Sequence, residues 1–242
     1  MKVYETGNIR NVVVMGHGGC GKTTLVEAIA YQTGITARMG KVTDGNTISD
    51  YDKEEQKRQF SISTSVVPVE FEDIKINFLD TPGYFDFVGE VEEACHAAGA
   101  AVIVINGKSG VEVGTLKAWE LCEKYKLPRL FFVTGMDDDQ ASYRKIVLEL
   151  NDRFGRKVAP FHVPIRENEK FVGFVNVVKM KGRRFINDTS EYEECDIPDY
   201  MDKHLNISRD ALVEAVADTS EELMERYGLE GDFSFVLETD GE

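Results

Sequence analysis

The chain has 242 residues, of which 42% are hydrophobic and 29% charged, with six prolines and a formal net charge of −15. That composition can bury a core and is not that of a disordered chain. No stretch approaches the roughly 18 apolar residues of a membrane span, and the N-terminus lacks the basic-then-apolar pattern of a secretion signal, so a cytoplasmic protein without membrane association is expected.

The charge is unevenly spread. Residues 1–187 hold 25 acidic and 25 basic side chains, whereas 188–242 hold 18 acidic and three basic. This argues against nucleic-acid binding through a general basic surface, sequence-specific DNA binding included, and marks a composition boundary near Asp188. Cys20, Cys95, Cys122 and Cys195 are widely spaced, with no CxxC pair, which reads as isolated reduced thiols.

In chain order, Asn11 to Met15 is a β-branched run, and Lys22 to Thr33 carries Leu25, Val26, Ile29 and Ala30 at helical spacing before Gly34. Alternating residues from Ser61 to Phe71 and from Ile74 to Leu79 predict a hairpin that delivers the loop Asp80-Thr81-Pro82-Gly83. A helix over Asp86 to Ala98, a buried strand over Ala100 to Ile105, a helix from Val113 to Tyr125 and a strand over Leu130 to Val133 follow. Next come a helix over Tyr143 to Phe154 and a short strand over Val158 to Pro164. The alternation predicts an α/β fold, a doubly wound, mainly parallel sheet with ligands at the carboxyl ends of its strands.

Beyond it, Phe171 to Val178 and Arg183 to Asn187 predict a hairpin around Met180-Lys181-Gly182. An irregular acidic stretch, Asp188 to His204, precedes two short helices marked by Leu212, Val213, Val216 and Ala217 and by Leu223, Met224 and Tyr227, with a capping box of Thr219 and Glu222. A small α+β appendage is expected.

Three motifs carry chemistry. Gly16-His17-Gly18-Gly19-Cys20-Gly21-Lys22-Thr23 fits the phosphate-loop pattern GxxxxGK(S/T) between a strand and a helix, with Thr24 following. In that pattern backbone N–H groups curl around phosphates, the lysine reaches the β- and γ-phosphates, and the Thr23 hydroxyl coordinates Mg²⁺. Asp80-Thr81-Pro82-Gly83 follows a strand 57 residues after Thr23. A carboxylate there can hold Mg²⁺ through water, and Gly83 can offer its N–H to a γ-phosphate and move when that phosphate leaves. Another 57 residues on, Thr134-Gly135-Met136-Asp137 ends an apolar run. A buried carboxylate at Asp137 would accept two hydrogen bonds from guanine, which adenine cannot supply.

The arrangement IRNVVVMGHGGCGKTT, DYDKEEQKRQFSIS, FLDTPGYFDFVGEVEEA and GMD resembles the GTP-binding domain of bacterial elongation factor G, and most of all the divergent elongation factor G-like proteins. KFVGFVNVVKMKG and ALVEAVADTSEELMERYGLEG look like the subdomain inserted in that domain. The resemblance implies a P-loop GTPase core over 1–160 and an inserted acidic subdomain over 161–242. It also implies GTP/GDP and Mg²⁺ as cofactors, with Lys22, Gly83 and Tyr84 catalytic, Thr23, Ser61 and Asp80 at the metal, and Thr134 and Asp137 at the base. The implied partner is the ribosome, through its stalk protein and the GTPase-activating region of its large subunit, the monomeric chain serving translocation or a related step.

Four positions depart from the usual family pattern. Gly19 replaces an aspartate, Gln59-Phe60 replaces glycine-isoleucine, Tyr84 replaces the histidine that positions the attacking water, and Thr134-Gly135 replaces asparagine-lysine. A tyrosine hydroxyl, with pKa near 10, can orient a water but cannot act as an imidazolium; alternatively the ring packs against Phe85 or Phe87. These departures leave open a GTP-binding sensor with little hydrolysis, or a ribosome-protection type of translational GTPase. The chain holds no Ser-Ala dipeptide of the kind that contacts guanine beyond the inserted subdomain, so a fragment of a longer factor is expected. The polar segment Ile35 to Phe60 is expected to be mobile without nucleotide contacts.

Overall fold

The computed structural model describes residues 2–168, 170–186, 191–221 and 223–225. The chain packs as two units, residues 1–135 and residues 136 onward.

The first unit is built on β1 (Ile9–Gly16), β2 (Ser65–Phe71), β3 (Ile74–Asp80), β4 (Ala100–Asn106) and β5 (Arg129–Thr134), in the order β2-β3-β1-β4-β5. Every pairing is parallel except the β2–β3 hairpin. Its helices are α1 (Lys22–Gln32), the short α2 (Lys53–Arg58), α3 (Val88–Ala97) and α4 (Val113–Tyr125). Successive side chains of β1 point to opposite faces. Val13 and Met15 pack with Ala94 and Cys95 of α3 and Ala118 and Cys122 of α4, while Val14 packs with Val26 and Ala30 of α1. Helices therefore cover both faces, the doubly wound arrangement that the uninterrupted apolar strands predict.

The second unit holds α5 (Tyr143–Phe154), the antiparallel sheet β6 (His162–Glu167), β7 (Lys170–Asn176), β8 (Lys181–Phe185) and β9 (Tyr192–Cys195), and α6 (Asp202–Ala217). Val163, Ile165, Val175, Val177, Met201 and Leu205 form its core, with Tyr143 of α5 packed against them. The packing boundary thus precedes the division expected near residue 160.

Three sequence expectations are corrected. The strand expected over 158–164 forms at 162–167 and does not extend the parallel sheet: it pairs antiparallel with β7, with Val163 and Ile165 buried between partly exposed neighbours. The β7–β8 turn lies at 177–180, where Asn176 Oδ1 accepts the Lys179 N–H at 2.9 Å; Lys181 and Gly182 are already in β8. The stretch 188–204 is not wholly irregular, since it contains β9 and the start of α6. Ser220 Oγ accepts the Leu223 N–H, whereas Thr219 Oγ1 donates back to Val216 O. Glu222 and Tyr227, marked for a cap and a helix, lie outside the described residues.

Ile103 is fully buried among side chains of β1, α3 and α4. Ile103→Ala should cost about 2–5 kcal/mol in urea unfolding, while Leu148→Ala, at a side chain 59% exposed, should stay within about 0.5 kcal/mol.

Candidate functional site

The site grows from the carboxyl ends of β1, β3 and β4. Leaving β1, the chain turns through residues 17–21 into α1. There the Lys22 ammonium donates to the carbonyls of Gly16, at 3.2 Å, and His17, at 2.9 Å, and is 6% exposed. The Thr23 hydroxyl, in the first turn of α1, lies 3.2 Å from that of Ser61, and Ser61 donates to Asp50 Oδ1 at 2.7 Å. A hydroxyl has one proton to give, so Thr23 donates to Ser61 and Ser61 to Asp50.

Asp80 ends β3 with no exposure; the Ser49 and Thr23 hydroxyls lie close to its carboxylate, but neither of its oxygens completes a hydrogen bond of normal geometry. Asp50 Oδ2 and Ser49 Oγ are buried and unpartnered as well. Buried oxygens left unsatisfied mark a place for a water or an ion. Carboxylates and hydroxyls without nitrogen or sulfur are the donor set of a hard cation, so these residues fit Mg²⁺. The sequence marks Thr23, Ser61 and Asp80; Ser49 and Asp50, which no motif distinguishes, lie beside them in the fold.

Beyond Asp80, the Thr81 hydroxyl donates to Val14 O at 2.7 Å, anchoring the loop to β1. Gly83 is seated on the phosphate loop, where a Cβ would stand 2.8 Å from both N and Cα of Gly18. Tyr84, 46% exposed, packs against Phe60 rather than Phe85 or Phe87, with ring centroids 4.7 Å apart. His17 Nε2 lies 3.6 Å from Glu112 Oε1, at the N-cap of α4. Gly19 and Thr24 are exposed, and Cys20 is buried with its thiol pushed up by burial, so it contributes backbone and no thiolate chemistry.

Residues 7–238 match the family described as Elongation factor Tu GTP binding domain. The chain belongs to this family. A crystal structure of a protein from Thermus thermophilus superposes with a TM-score of 0.86 at 37% identity, over 93% of this chain and 33% of that one. The chain therefore spans about a third of the length of that protein. The chain thus has the GTP-binding domain of the elongation factor Tu and G type that its motifs predict.

Within this GTP-binding domain, Thr134 does not offer its hydroxyl outward. It donates to Cys20 O at 2.7 Å and more weakly to Ile105 O at 3.3 Å, tying the end of β5 to the phosphate loop. Asp137 belongs to the second unit and is exposed, not buried as expected. Arg166, which no motif marks, donates to Met136 O at 2.7 Å and fixes the turn that carries Asp137. The segment between α1 and β2 is anchored: Glu27, in α1, accepts the N–H groups of Gly40 and Ile48, each at 2.7 Å.

Burial raises the Asp80 carboxyl from 3.8 to about 6, against the Ser49 and Thr23 hydroxyls and the Lys22 charge, which pull it down. The folded chain therefore holds that proton more tightly than the unfolded chain. The resulting stabilisation is complete below pH 3.8 and is lost as pH rises through about 6. Asp80→Asn should remove this slope. In magnesium-free urea titrations, the variant should gain on the order of 2–3 kcal/mol relative to the parent between about pH 4 and pH 6.5.

Proposed function

We propose that this chain is the Mg²⁺-dependent GTP-binding and GTP-hydrolysing domain of an elongation factor G-like factor that acts on the ribosome in the cytoplasm. Membership in a family of translational GTPases supplies the nucleotide and the class of reaction. The observation that carries the reading is the unsatisfied Asp80 carboxylate beside the Thr23–Ser61 pair, with Gly83 resting on the phosphate loop.

Bound Mg²⁺ would neutralise charge on the β- and γ-phosphate oxygens. Thr23 and Ser61 would be its hydroxyl ligands, with Asp80 reaching it through water. The backbone of residues 16–21 and the Thr24 N–H would wrap the phosphates, and Lys22 would exchange its carbonyl partners for phosphate oxygens. Gly83 would offer its N–H to the terminal phosphate, and the Tyr84 hydroxyl would orient the attacking water. Phosphoryl transfer needs positioning and charge stabilisation more than a strong base, so tyrosine at this place is compatible with slow hydrolysis. The contact of Tyr84 with Phe60 favours a second reading, a GTP sensor with little turnover. Turnover that ribosomes never raise, measured on the factor of which this domain is part, would select the sensor.

Asp137, at the base, would accept from the guanine N1–H and amino groups. Asp137→Asn should relax the preference for GTP over ATP by about ten- to a hundredfold in a fluorescent-nucleotide titration. Unchanged selectivity would remove Asp137 from the site.

Residues 161–242 would be the insertion that carries the acidic surface, and that surface would dock on the basic stalk protein of the ribosome. Glu214, Glu221 and Glu225 are exposed on it. Reversing all three charges should lower ribosome-stimulated turnover several-fold while leaving turnover without ribosomes intact. No loss would reduce the acidity to a solvated face.

A further inference from the structure

Residues 143–184 hold 11 basic side chains and four acidic ones, a local excess of +7 inside a chain of −15. Part of that excess lies on the face of the β6–β9 sheet that points away from its core. Along β6, Val163 and Ile165 pack with Met201 and Leu205, so His162, Pro164 and Arg166 point the other way. The register carries this outer face to Phe171 and Phe174 of β7, to Lys181, Arg183 and Phe185 of β8, and to Tyr192 and Glu194 of β9. Rings form an array across it. Phe161 meets His162, and His162 meets Phe174, each edge-on with centroids 4.8 Å apart; Phe174 and Phe185 follow at 6.1 Å, and Phe185 and Phe171 at 5.3 Å. The Arg183 guanidinium lies 4.5 Å over the Tyr192 ring. Phe161 is 51% and Tyr192 48% exposed, so the array opens to solvent at its β6 and β9 ends. Burial, helped by the Arg183 charge, pushes the His162 imidazole below its usual value, which leaves a neutral ring near pH 7.

We infer that this outer face binds single-stranded RNA, with bases stacked on the aromatic array and phosphates held by Lys181 and Arg183. Every base has a π-face, so rings exposed on a sheet accept bases without reading sequence. A four-stranded sheet that carries aromatic side chains on one face is also a recurring platform for splayed single-stranded RNA. No general basic surface is needed. Among the described strand residues the face carries Arg166, Lys181 and Arg183 against Glu194 alone, and the sheet itself stands between it and α6. Arg166 is engaged with Met136 O. Lys181 meets Glu194 at 3.1 Å with both side chains largely exposed, a pair weak enough to yield to a phosphate. An acidic peptide would satisfy the same cations and leave the rings uncovered. The choice of RNA over single-stranded DNA rests on the ribosomal reading above, whereas the face itself does not depend on the nucleotide site.

The test follows the fluorescence anisotropy of labelled decauridylate with saturating GDP and Mg²⁺ present, so that the phosphate loop is occupied. The parent chain should bind with a Kd of about 1–100 µM at physiological salt. Phe161→Ala and Tyr192→Ala should each weaken binding about five- to hundredfold and leave its salt dependence unchanged, because stacking releases no counterions. Lys181→Gln combined with Arg183→Gln should weaken binding and lower the slope of log K against log salt by about 1.4, the value for two phosphates on a single strand. Tyr192→Phe, which keeps the ring, should retain the parent affinity, and Lys117→Gln, on the exposed face of α4, should change nothing. Phe161 and Tyr192 lie outside the core of the second unit, so their removal does not mimic unfolding. Absence of binding, alanine variants that bind like the parent, or a tighter complex with decathymidylate DNA would overturn the proposal. So would polyglutamate that displaces the RNA from the parent and the alanine variants alike, which would give the face to an acidic peptide. The guanine-nucleotide reading is decided separately, by the Asp137→Asn titration.

Discussion

The parallel pairing of β1 with β3 on one side and β4 on the other is the constraint on which the site depends. Its register sets Val14 beside Asp80 and Gly16 beside Val104, so the phosphate loop and the Asp80 loop leave the sheet at the same edge. A slip of one residue would turn every β1 side chain to the opposite face. Val13 and Met15 would then meet α1, and Val14 would meet α3 and α4. With all three at most 1% exposed, neither face could absorb the exchange. The Thr81 hydroxyl on Val14 O pins the same register from the loop side.

Buried carboxylates of the first unit fall into two kinds, and the difference separates scaffold from site. Glu27 is 2% exposed and spends its two oxygens on the backbone N–H groups of Gly40 and Ile48. Glu55, 3% exposed, accepts from the N–H groups of Ile62 and Ser63 and helps cap α2. Such charge-assisted bonds fix loop backbone that would otherwise lie open to water. They give the segment between α1 and β2, polar enough to read as unanchored, a defined path. Asp80 and Asp50, buried to the same degree, keep oxygens in reserve, Asp80 beside the Ser49 and Thr23 hydroxyls and Asp50 with its other oxygen held by Ser61.

The elements most legible in the sequence are those whose period is set by a single strong face. For α4 and α5 the periodicity predicts both ends, and β4 and β5 are legible as uninterrupted apolar runs. The start of α6 is hidden because Met201 and Leu205, its first core contacts, stand among Asp202, Lys203, His204 and Asn206, which mask the apolar stripe. Strand β9 is hidden for a related reason: Tyr-Glu-Glu-Cys is a short, charged edge, and such composition protects an edge from pairing with another chain. At the site, residues inside contiguous motifs could be read directly. Ser49, Asp50, Phe60 as a partner of Tyr84, and Arg166 beneath the Asp137 turn could not, because the fold rather than sequence spacing brings them to their contacts.

The same logic bears on Thr134 and Gly135, where the family pattern has asparagine and lysine. The Thr134 hydroxyl holds Cys20 O and ties β5 to the phosphate loop. Gly135 has a φ of +62°, and a Cβ there would meet only the Asn106 amide nitrogen, at 3.4 Å. Space is therefore not what keeps a side chain out; the left-handed backbone is, at about 1–2 kcal/mol for a non-glycine residue. Lysine at 135 would have to adopt that left-handed backbone. The pair Thr134-Gly135 is in this sense a self-consistent alternative, in which a short hydroxyl and a glycine turn replace an amide and a lysine stem as a unit.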